Sequence, residues 1–427
     1  MDIAQLYQRF LESDGVSTDT RSIQSNQLFF ALSGPSFNGN KFAVQAIDKG
    51  ASLAIIDDPA YEIPEKTVLV EDSLKALQDL ANHHRRQFDI PVLGITGSNG
   101  KTTTKELLTE VIRKKYKTHS TEGNLNNHIG VPLTLLSMPL NIEFAIIEMG
   151  ANRQGDIHSY CLIAEPNLGL ITNIGKAHLE GFGGLKGVEK GKTELFRFIE
   201  KYEGAVFYRK EDPILPKHVE NLKSWSYGES SKCDFEYQAS EGESFMAFSA
   251  IRNGSKTEII SNLTGKYNFY NAMAAAAIGE QYGISIEIIK EAIENYFPDN
   301  NRSEVVQQDN YQIILDAYNA NPTSMDLALE NLASINAERR IAILGEMNEI
   351  GDDSNQEHRA VIELAMKLGI DQLVLVGAQF KDLAVENGIA YFDKVESARE
   401  YFNSIDKDGS VILVKGSRSN QLEKLLS

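Results

Sequence analysis

Only two cysteines, Cys161 and Cys233, occur in 427 residues. So sparse a pair cannot build a disulfide framework, and neither cysteine has the spacing of a metal-ligand set. A reduced, cytoplasmic protein is the expectation. Long apolar runs are missing as well. None reaches the roughly 18 residues that a membrane-spanning helix needs, so no membrane span is expected. The opening MDIAQLYQRFLESDG carries acids and lacks the apolar core of a secretory signal. Basic residues are outnumbered, 42 against 60 acidic, for a net charge of -18. A surface of that sign repels a phosphate backbone and argues against nucleic acid as a partner. It leaves room for an anionic small substrate, because local basic groups and a bound cation can reverse the field inside one cleft. Internal repeats and low-complexity tracts are also absent.

What is present is a globular composition, 42% hydrophobic and 24% charged. A chain of 427 residues is too long for one ordinary core, and two or three domains follow. Residues 1–88 contain the apolar runs LFFAL (28–32) and SLAIID (52–57), with helix-like stretches over 40–49 and 73–87. Next, PVLGIT (91–96) reads as a strand entering a glycine-bearing loop and then the helix-like TTTKELLTEVIRKKY. FAIIEMG (144–150) and NLGLITNIG (167–175) read as further buried strands, each ending in polar or glycine residues. That alternation predicts a mainly parallel sheet covered by helices. Short alternating segments with turn signals over 204–263 suggest a small β-rich insertion, and NFYNAMAAAAIGEQYG (268–283) returns to helix. The polar stretch FPDNNRSE (297–304) marks the next boundary. Beyond it strands YQIILD, RIAILG, QLVLVG and VILVKG alternate with helices, a second α/β unit of the dinucleotide-binding kind. The expected fold class is therefore α/β in three domains, at 1–88, 89–300 and 301–427.

The most informative segment is GITGSNGKTTT (94–104). A strand that ends in Gly97, Ser98, Asn99, Gly100, Lys101 and Thr102, with Thr103 opening the helix behind it, is a phosphate cradle. Glycines let backbone N–H groups turn inward around oxygens, and the helix aims its positive end at them. Lys101 would reach the β- and γ-phosphates and the Thr102 hydroxyl would ligate magnesium. The spacing departs from the standard phosphate-loop pattern, which wants glycine where this chain has Ile95. Magnesium needs further hard oxygen partners. Glu148 ends the strand FAIIE and His178 follows the strand NLGLI, both at the strand ends where ligands gather in an open α/β sheet. Either residue alone would pass for a solvated acid or a structural histidine.

Together these segments resemble the Mur ligases, the ATP-dependent enzymes that build the peptidoglycan stem peptide. GITGSNGKTTTK looks like their shared ATP loop. EMGANRQGDI (148–157), TNIGKAHLEGFG (172–183) and GVEKGKTELF (187–196) resemble the family blocks that follow, in the same order. GKYNFYNAMAAAA (265–277) is similar to the adenine-contacting segment, which implies that role for Asn268 and Asn271; the usual residue at Tyr267 is His. GNLNNHIGVPLTLL (123–136), LDAYNANPTSM (315–325), LGEMNEIGDDSNQEH (344–358) and VKGSRS (414–419) point to the branch that adds D-alanyl-D-alanine to UDP-N-acetylmuramoyl-tripeptide. STDTRSIQSNQLFFALSGPSFNGNKFA (17–43) resembles its UDP-sugar-peptide-binding domain.

The resemblance implies an amide-forming ligase that uses ATP and Mg2+, with those two substrates as its partners, acting as a monomer in the cytoplasm. It assigns Lys101, Thr102, Glu148 and His178 to the Mg-ATP site. Asn124, Asn126 and Asn127 would contact the sugar-peptide. Arg302, Asp316, Tyr318 and Asn321, joined by Asn319, would come from a third domain that closes on the nucleotide and binds the dipeptide. It also places a carbamylated lysine just before an aliphatic-aromatic pair, here Leu195-Phe196, which selects Lys192 over Lys190; carbamylated Lys192 would be a further metal ligand. Two rival readings remain: a sister ligase adding a single amino acid or a folate-type polyglutamate ligase, and a nucleotide-binding regulatory protein that hydrolyses ATP without ligation.

Overall fold

The computed structural model describes residues 2–240, 245–298 and 300–426. Asp299, in the expected boundary stretch 297–304, and residues 241–244, within the strand-rich segment, lie outside the described residues. The architecture is α/β, built on three main sheets that follow one another along the chain, within 16–69, 92–260 and 304–415.

The first sheet is parallel throughout and runs Val16–Ser17, Leu28–Phe30, Leu53–Ile56, Thr67–Leu69 from edge to edge. Helix Ser73–Arg85 leaves it and packs on the central unit's helices Gly130–Leu136 and Asp156–Ala164. Leu77 and Leu80 share one apolar cluster with Leu135 and Tyr160. The Arg85 guanidinium caps that second helix by donating to the carbonyls of Ala164 and Glu165. The first unit is thus joined to the second by a continuous core, not by a loose linker.

The central sheet has nine strands. Val92–Thr96 lies between Phe144–Glu148 on one side and Leu168–Ile171 on the other, all parallel. These are apolar runs buried on both faces, as strands covered by helices on both sides must be. The chain passes from Val92–Thr96 out to the edge strand Thr118–Ser120, returns to Phe144–Glu148, and only then crosses to the other side. Val92–Thr96 is therefore the topological switch point, where the connections on its two sides diverge and leave a crevice at the strands' carboxyl ends. The segment expected as a β-rich insertion belongs to this sheet. Ala205–Arg209 pairs parallel with Leu168–Ile171, Lys223–Gly228 follows, and Phe235–Ala239, Ala247–Arg252 and Ser255–Ile260 complete the edge, the last two pairings antiparallel.

Helix Lys101–Arg113 begins directly after the glycine loop and packs along Lys266–Gln281. The second helix is buried on nearly all sides, which explains its run of small residues. At Gly279 a Cβ would come within 2.5 Å of Val111. Only small side chains let the two axes approach that closely.

In the third sheet the order is Glu304–Gln307, Gln312–Asp316, Ser410–Lys415, Arg339–Gly345, Gln372–Val376, Ala390–Phe392, parallel except for the first. The last strand in sequence inserts beside the first parallel one, so Asp316 and Lys415 end side by side.

Candidate active site

Three carboxyl ends of the central sheet supply the floor of the site. The loop after Val92–Thr96 turns through Gly97 (φ 150) and Gly100 (φ 77). A Cβ on Gly97 would sit 1.9 Å from Thr172 Oγ1, and one on Gly100 2.3 Å from Asn271 Oδ1. The loop is held from below by the segment after Leu168–Ile171. Asn173 accepts from Ser98 N through its carbonyl and from Asn99 N through its side chain, both at 3.0 Å. Thr172 Oγ1 donates to the Asn99 carbonyl at 2.6 Å. Lys101 folds back so that Nζ donates to the carbonyls of Gly97 (2.7 Å) and Ser98 (3.2 Å). Burial pushes its ammonium down to about 8, helped by the Arg302 charge and opposed by Glu148. Thr102 and Thr103 are buried in the first helical turn.

Glu148 is 1% exposed. Its Oε1 accepts from Thr102 Oγ1 at 3.2 Å and from Asn126 Nδ2 at 2.7 Å, while Oε2 has no partner. A buried carboxylate oxygen without a donor is expensive unless a ligand completes it. Asn124 lines the same cleft. Asn127 stands at its wall too, but its Oδ1 is committed to the backbone N–H groups of Ile129 and Gly130. His178 sits in the left-handed region at φ 51 and meets the carboxylate of Glu349 from the third unit.

The two competing lysines separate cleanly. Lys190 is exposed, whereas Lys192 is 1% exposed at the end of helix Leu185–Lys192. Lys192 Nζ has the Ala151 carbonyl at 3.4 Å and lies 5.3 Å from the Phe182 ring centroid. Burial, with the Lys101 charge adding to it, pushes its amine well below the ordinary lysine range.

The third unit forms the roof. Arg302 stacks its guanidinium 3.8 Å from the centroid of Tyr318. Asp316 accepts from Lys415 Nζ at 2.5 Å and from Ser303 N at 3.3 Å. Asn321 caps helix Pro322–Ser334 through its Oδ1, and its Nδ2 donates to Asn99 Oδ1 in the phosphate loop at 2.7 Å. Asn319 lines the cleft while accepting from the adjacent Ala320 N. Asn268 and Asn271 are buried beneath: Asn271 Nδ2 donates to Asn268 Oδ1 at 2.9 Å, and Thr104 Oγ1 donates to Asn271 at 3.2 Å. Tyr267 hydrogen-bonds Ser303 at 2.8 Å, a contact that ties the helix to the third unit. Lys101, Glu148, His178, Asn271, Arg302 and Asp316 with their neighbours enclose one cleft of about 870 Å3 between the central and third units, and Lys192 and Glu349 stand outside its lining.

A glycine loop, a buried acid with one open oxygen and a roof from a second α/β unit are joined by three family matches. The Mur ligase family catalytic domain matches residues 12–85, the Mur ligase middle domain 95–279, and the glutamate ligase domain of Mur ligases 301–418. The chain belongs to the Mur ligase family. Among relatives of this Mur ligase, the UDP-N-acetylmuramoyl-tripeptide--D-alanyl-D-alanine ligase of Bacillus subtilis is 33% identical, with 96% of this chain and 92% of that one covered. The Escherichia coli ligase of the same name is 34% identical, covering 97% and 93%. The crystal structure of MurF from Acinetobacter baumannii superimposes with a TM-score of 0.87 at 30% identity, covering 98% and 97%. MurF from Thermotoga maritima in complex with ADP gives 0.85 at 25% identity, with the same coverage.

The donors of this Mur ligase fit magnesium in kind: the Thr102 hydroxyl and Glu148 carboxylate are hard oxygens, and Glu148 Oε2 is open. Among the described residues no group of three or more His, Cys, Asp or Glu could hold a metal alone. Nucleotide oxygens and water would have to complete the shell. No helix is long and apolar enough to cross a membrane among the described residues. Sequence reasoning gave Lys415 no role, although it stands in the strand-like VILVKG and in the VKGSRS block. It ends the strand Ser410–Lys415, is 2% exposed and pairs with Asp316. A lysine closing an apolar run of parallel-strand type was the available signal. Arg209, which lies in no quoted motif, stacks 4.0 Å from Tyr270 on the cleft wall; Tyr270 lies within GKYNFYNAMAAAA but was given no role.

Proposed function

We propose that this Mur ligase joins D-alanyl-D-alanine to UDP-N-acetylmuramoyl-tripeptide, converting ATP to ADP and phosphate. The observation that carries the reading is the Asn321–Asn99 hydrogen bond, because it brings the most selective motif of the third unit onto the phosphate loop. A single-amino-acid ligase would not need YNANP there, and full-length relatives named for dipeptide addition support the same choice.

A carboxylate is a poor electrophile, since its charge repels a nucleophile and oxide is a hopeless leaving group. Transfer of the γ-phosphoryl group to the tripeptide carboxylate makes an acyl phosphate. The dipeptide amine then attacks its carbonyl carbon, the tetrahedral intermediate collapses with rupture of the carbon–oxygen bond to phosphate, and phosphate leaves with that electron pair. The amine proton is lost to solvent or base. The chain's task is alignment and charge neutralisation. Lys101, released from the Gly97 and Ser98 carbonyls, would reach the β- and γ-phosphates. The loop's backbone N–H groups would hold the same oxygens, with Asn268 and Asn271 toward the adenine. Asn124, Asn126 and Asn127 face the sugar-peptide side. Arg302, Asp316, Tyr318, Asn319 and Asn321 cover the nucleotide and dipeptide and shield the acyl phosphate from water. Magnesium bound at Thr102 and Glu148 would supply positive charge against the phosphates.

Lys192 completes the proposal as a carbamate. Its neutral amine adds to CO2, forming an N–C bond and releasing one proton, which turns a cation into a carboxylate on a long arm. Support comes from its burial with the Ala151 carbonyl and from Lys190 being on the surface. With His178 the carbamate would serve a second metal position. We further propose domains at 1–88, 89–300 and 301–427, and a monomer working in the cytoplasm.

The deciding experiment measures phosphate release with ATP, Mg2+ and UDP-N-acetylmuramoyl-tripeptide, with and without D-alanyl-D-alanine. Release that depends on the dipeptide is expected, with single amino acids at background. Equal turnover with lysine or meso-diaminopimelate would overturn the dipeptide assignment, and release without any carboxylate substrate would favour a plain ATPase.

A further inference from the structure

The motif LGEMNEIGDDSNQEH (344–358) has no part in the chemistry above, yet it grips the loop that carries His178. Two carboxylates do this. Glu349 meets His178 Nδ1, and Glu357 accepts from Lys176 Nζ at 2.6 Å. Lys176 N also donates to Thr323 Oγ1 at 3.0 Å, so the third unit holds this central-sheet loop at three points. Both partners of the Glu349–His178 contact have left-handed backbones, φ 61 and φ 51. Non-glycine residues persist there only when their surroundings impose it, and such positions gather at functional sites.

The loop bearing Glu349 is fixed from behind. His358 is fully buried; its Nε2 accepts from Met347 N at 2.9 Å and its Nδ1 donates to the Ser354 carbonyl at 2.7 Å. Asn348 N donates to Ser417 Oγ at 3.0 Å. Two residues after Glu349, Gly351 (φ 70) packs so closely on helix Leu179–Phe182 that an added Cβ would lie 3.2 Å from Glu180 Cβ. The loop is therefore rigid and seated against the helix that begins at His178. Glu349 itself keeps 53% of its side chain exposed, so the pair adds little stability and acts by orientation.

We propose that Glu349 is a positioning residue for His178, and that it couples docking of the third unit to the state of the imidazole. The Glu349 carboxylate abuts Nδ1, which among the described residues has no aligned hydrogen-bond partner of its own; a carboxylate that accepts there keeps the proton on that nitrogen and leaves Nε2 as the lone-pair donor, the arrangement by which a carboxylate orients a metal-binding histidine. When the third unit swings away, Glu349 leaves with it and His178 loses both its tautomer and its rotamer restraint. The site is then competent only when closed. This rests on the ligase reading given above.

The test uses full-length enzyme and two substitutions. Glu349→Asn keeps a residue suited to the left-handed backbone but withdraws the carboxylate; Glu349→Gln keeps an acceptor oxygen at the same reach. Three quantities are read: kcat, the Mn2+ dissociation constant by spin resonance with a non-hydrolysable ATP analogue, and the His178 tautomer by nitrogen NMR of histidine-labelled protein, assigned with His178→Asn. For Glu349→Asn the expected result is a kcat loss and a Mn2+ affinity loss of about 10- to 100-fold each. The KM for ATP should be nearly unchanged, the Nδ1 proton lost, and Glu349→Gln partly restored. Wild-type kcat in Glu349→Asn overturns the proposal, and so does a kcat loss with Mn2+ affinity and tautomer unaltered. If the ligase reading itself fails, wild-type enzyme shows no dipeptide-dependent phosphate release, while the Mn2+ and tautomer readings still decide the role of Glu349.

Discussion

Gly100→Ala tests whether the phosphate loop is shaped by contact with the buried asparagine pair. Gly100 has φ 77, and an added Cβ would lie 2.3 Å from Asn271 Oδ1 and 3.0 Å from both Cγ and Nδ2. A left-handed backbone costs alanine about 1–2 kcal/mol. Asn271 must also move by about 1 Å to restore an ordinary contact, which disturbs its bonds with Thr104 Oγ1 and Asn268 Oδ1. At about 0.5–1.5 kcal/mol for each bond, the whole loss is about 2–5 kcal/mol. For a unit of this size that lowers the unfolding midpoint by about 10 °C. Asn271→Ala removes the obstructing atoms, so Gly100→Ala made in that background should cost only the backbone part, about 1–2 kcal/mol. Denaturant unfolding of wild type, both single variants and the double variant closes the cycle, and calorimetry with an ATP analogue reports the loop. Equal cost of Gly100→Ala with and without Asn271 would refute the steric account.

The parts of this site that could be read from the sequence are those whose chemistry is local. FAIIE is an uninterrupted apolar run that buries on both faces, so its closing Glu148 had to emerge at a strand end. The glycine loop announces itself because left-handed turns demand glycine within a few residues. Pairs made by topology were not legible. Asp316 and Lys415 are 99 residues apart and meet only because the last strand inserts beside the first parallel one. Nothing in VILVK says which strand it will join. Glu349 was hidden for the same reason, since its partner belongs to another sheet. Asn319 and Asn321 share a motif, yet one turns to its own backbone and the other reaches across the cleft, a division set by the helix cap at Asn321. The strand-rich stretch after 204 looked separate because its strands are short and alternate; pairing of Ala205–Arg209 with Leu168–Ile171 makes it an extension of the main sheet.

Lys101→Ala should leave the unfolding midpoint nearly unchanged and abolish ligation, because its ammonium bonds only two loop carbonyls; half of wild-type turnover would remove it from the phosphate site. Burial holds the His358 imidazole below the ordinary histidine range, with both ring nitrogens engaged as the neutral form requires. The unfolded chain therefore binds this proton more readily, so the third unit should lose stability as pH falls below about 6.5, by about 1–3 kcal/mol in full. His358→Gln should flatten that dependence in thermal unfolding. The last expectation concerns Lys192. A bare ammonium there would have the Ala151 carbonyl at 3.4 Å for its charge and would stand near Lys101, an arrangement that burial makes costly. A carbamate replaces that cation with an anion able to face metal and Lys101 alike. Lys192→Ala should then be nearly inactive and regain part of its turnover when formate, a small carboxylate, is added, whereas exposed Lys190→Ala stays active. Intact-mass analysis of gently handled, bicarbonate-supplied enzyme should show the CO2 adduct, lost in Lys192→Ala. Full activity in an enzyme whose Lys192 stays a free amine under those conditions would refute the carbamate.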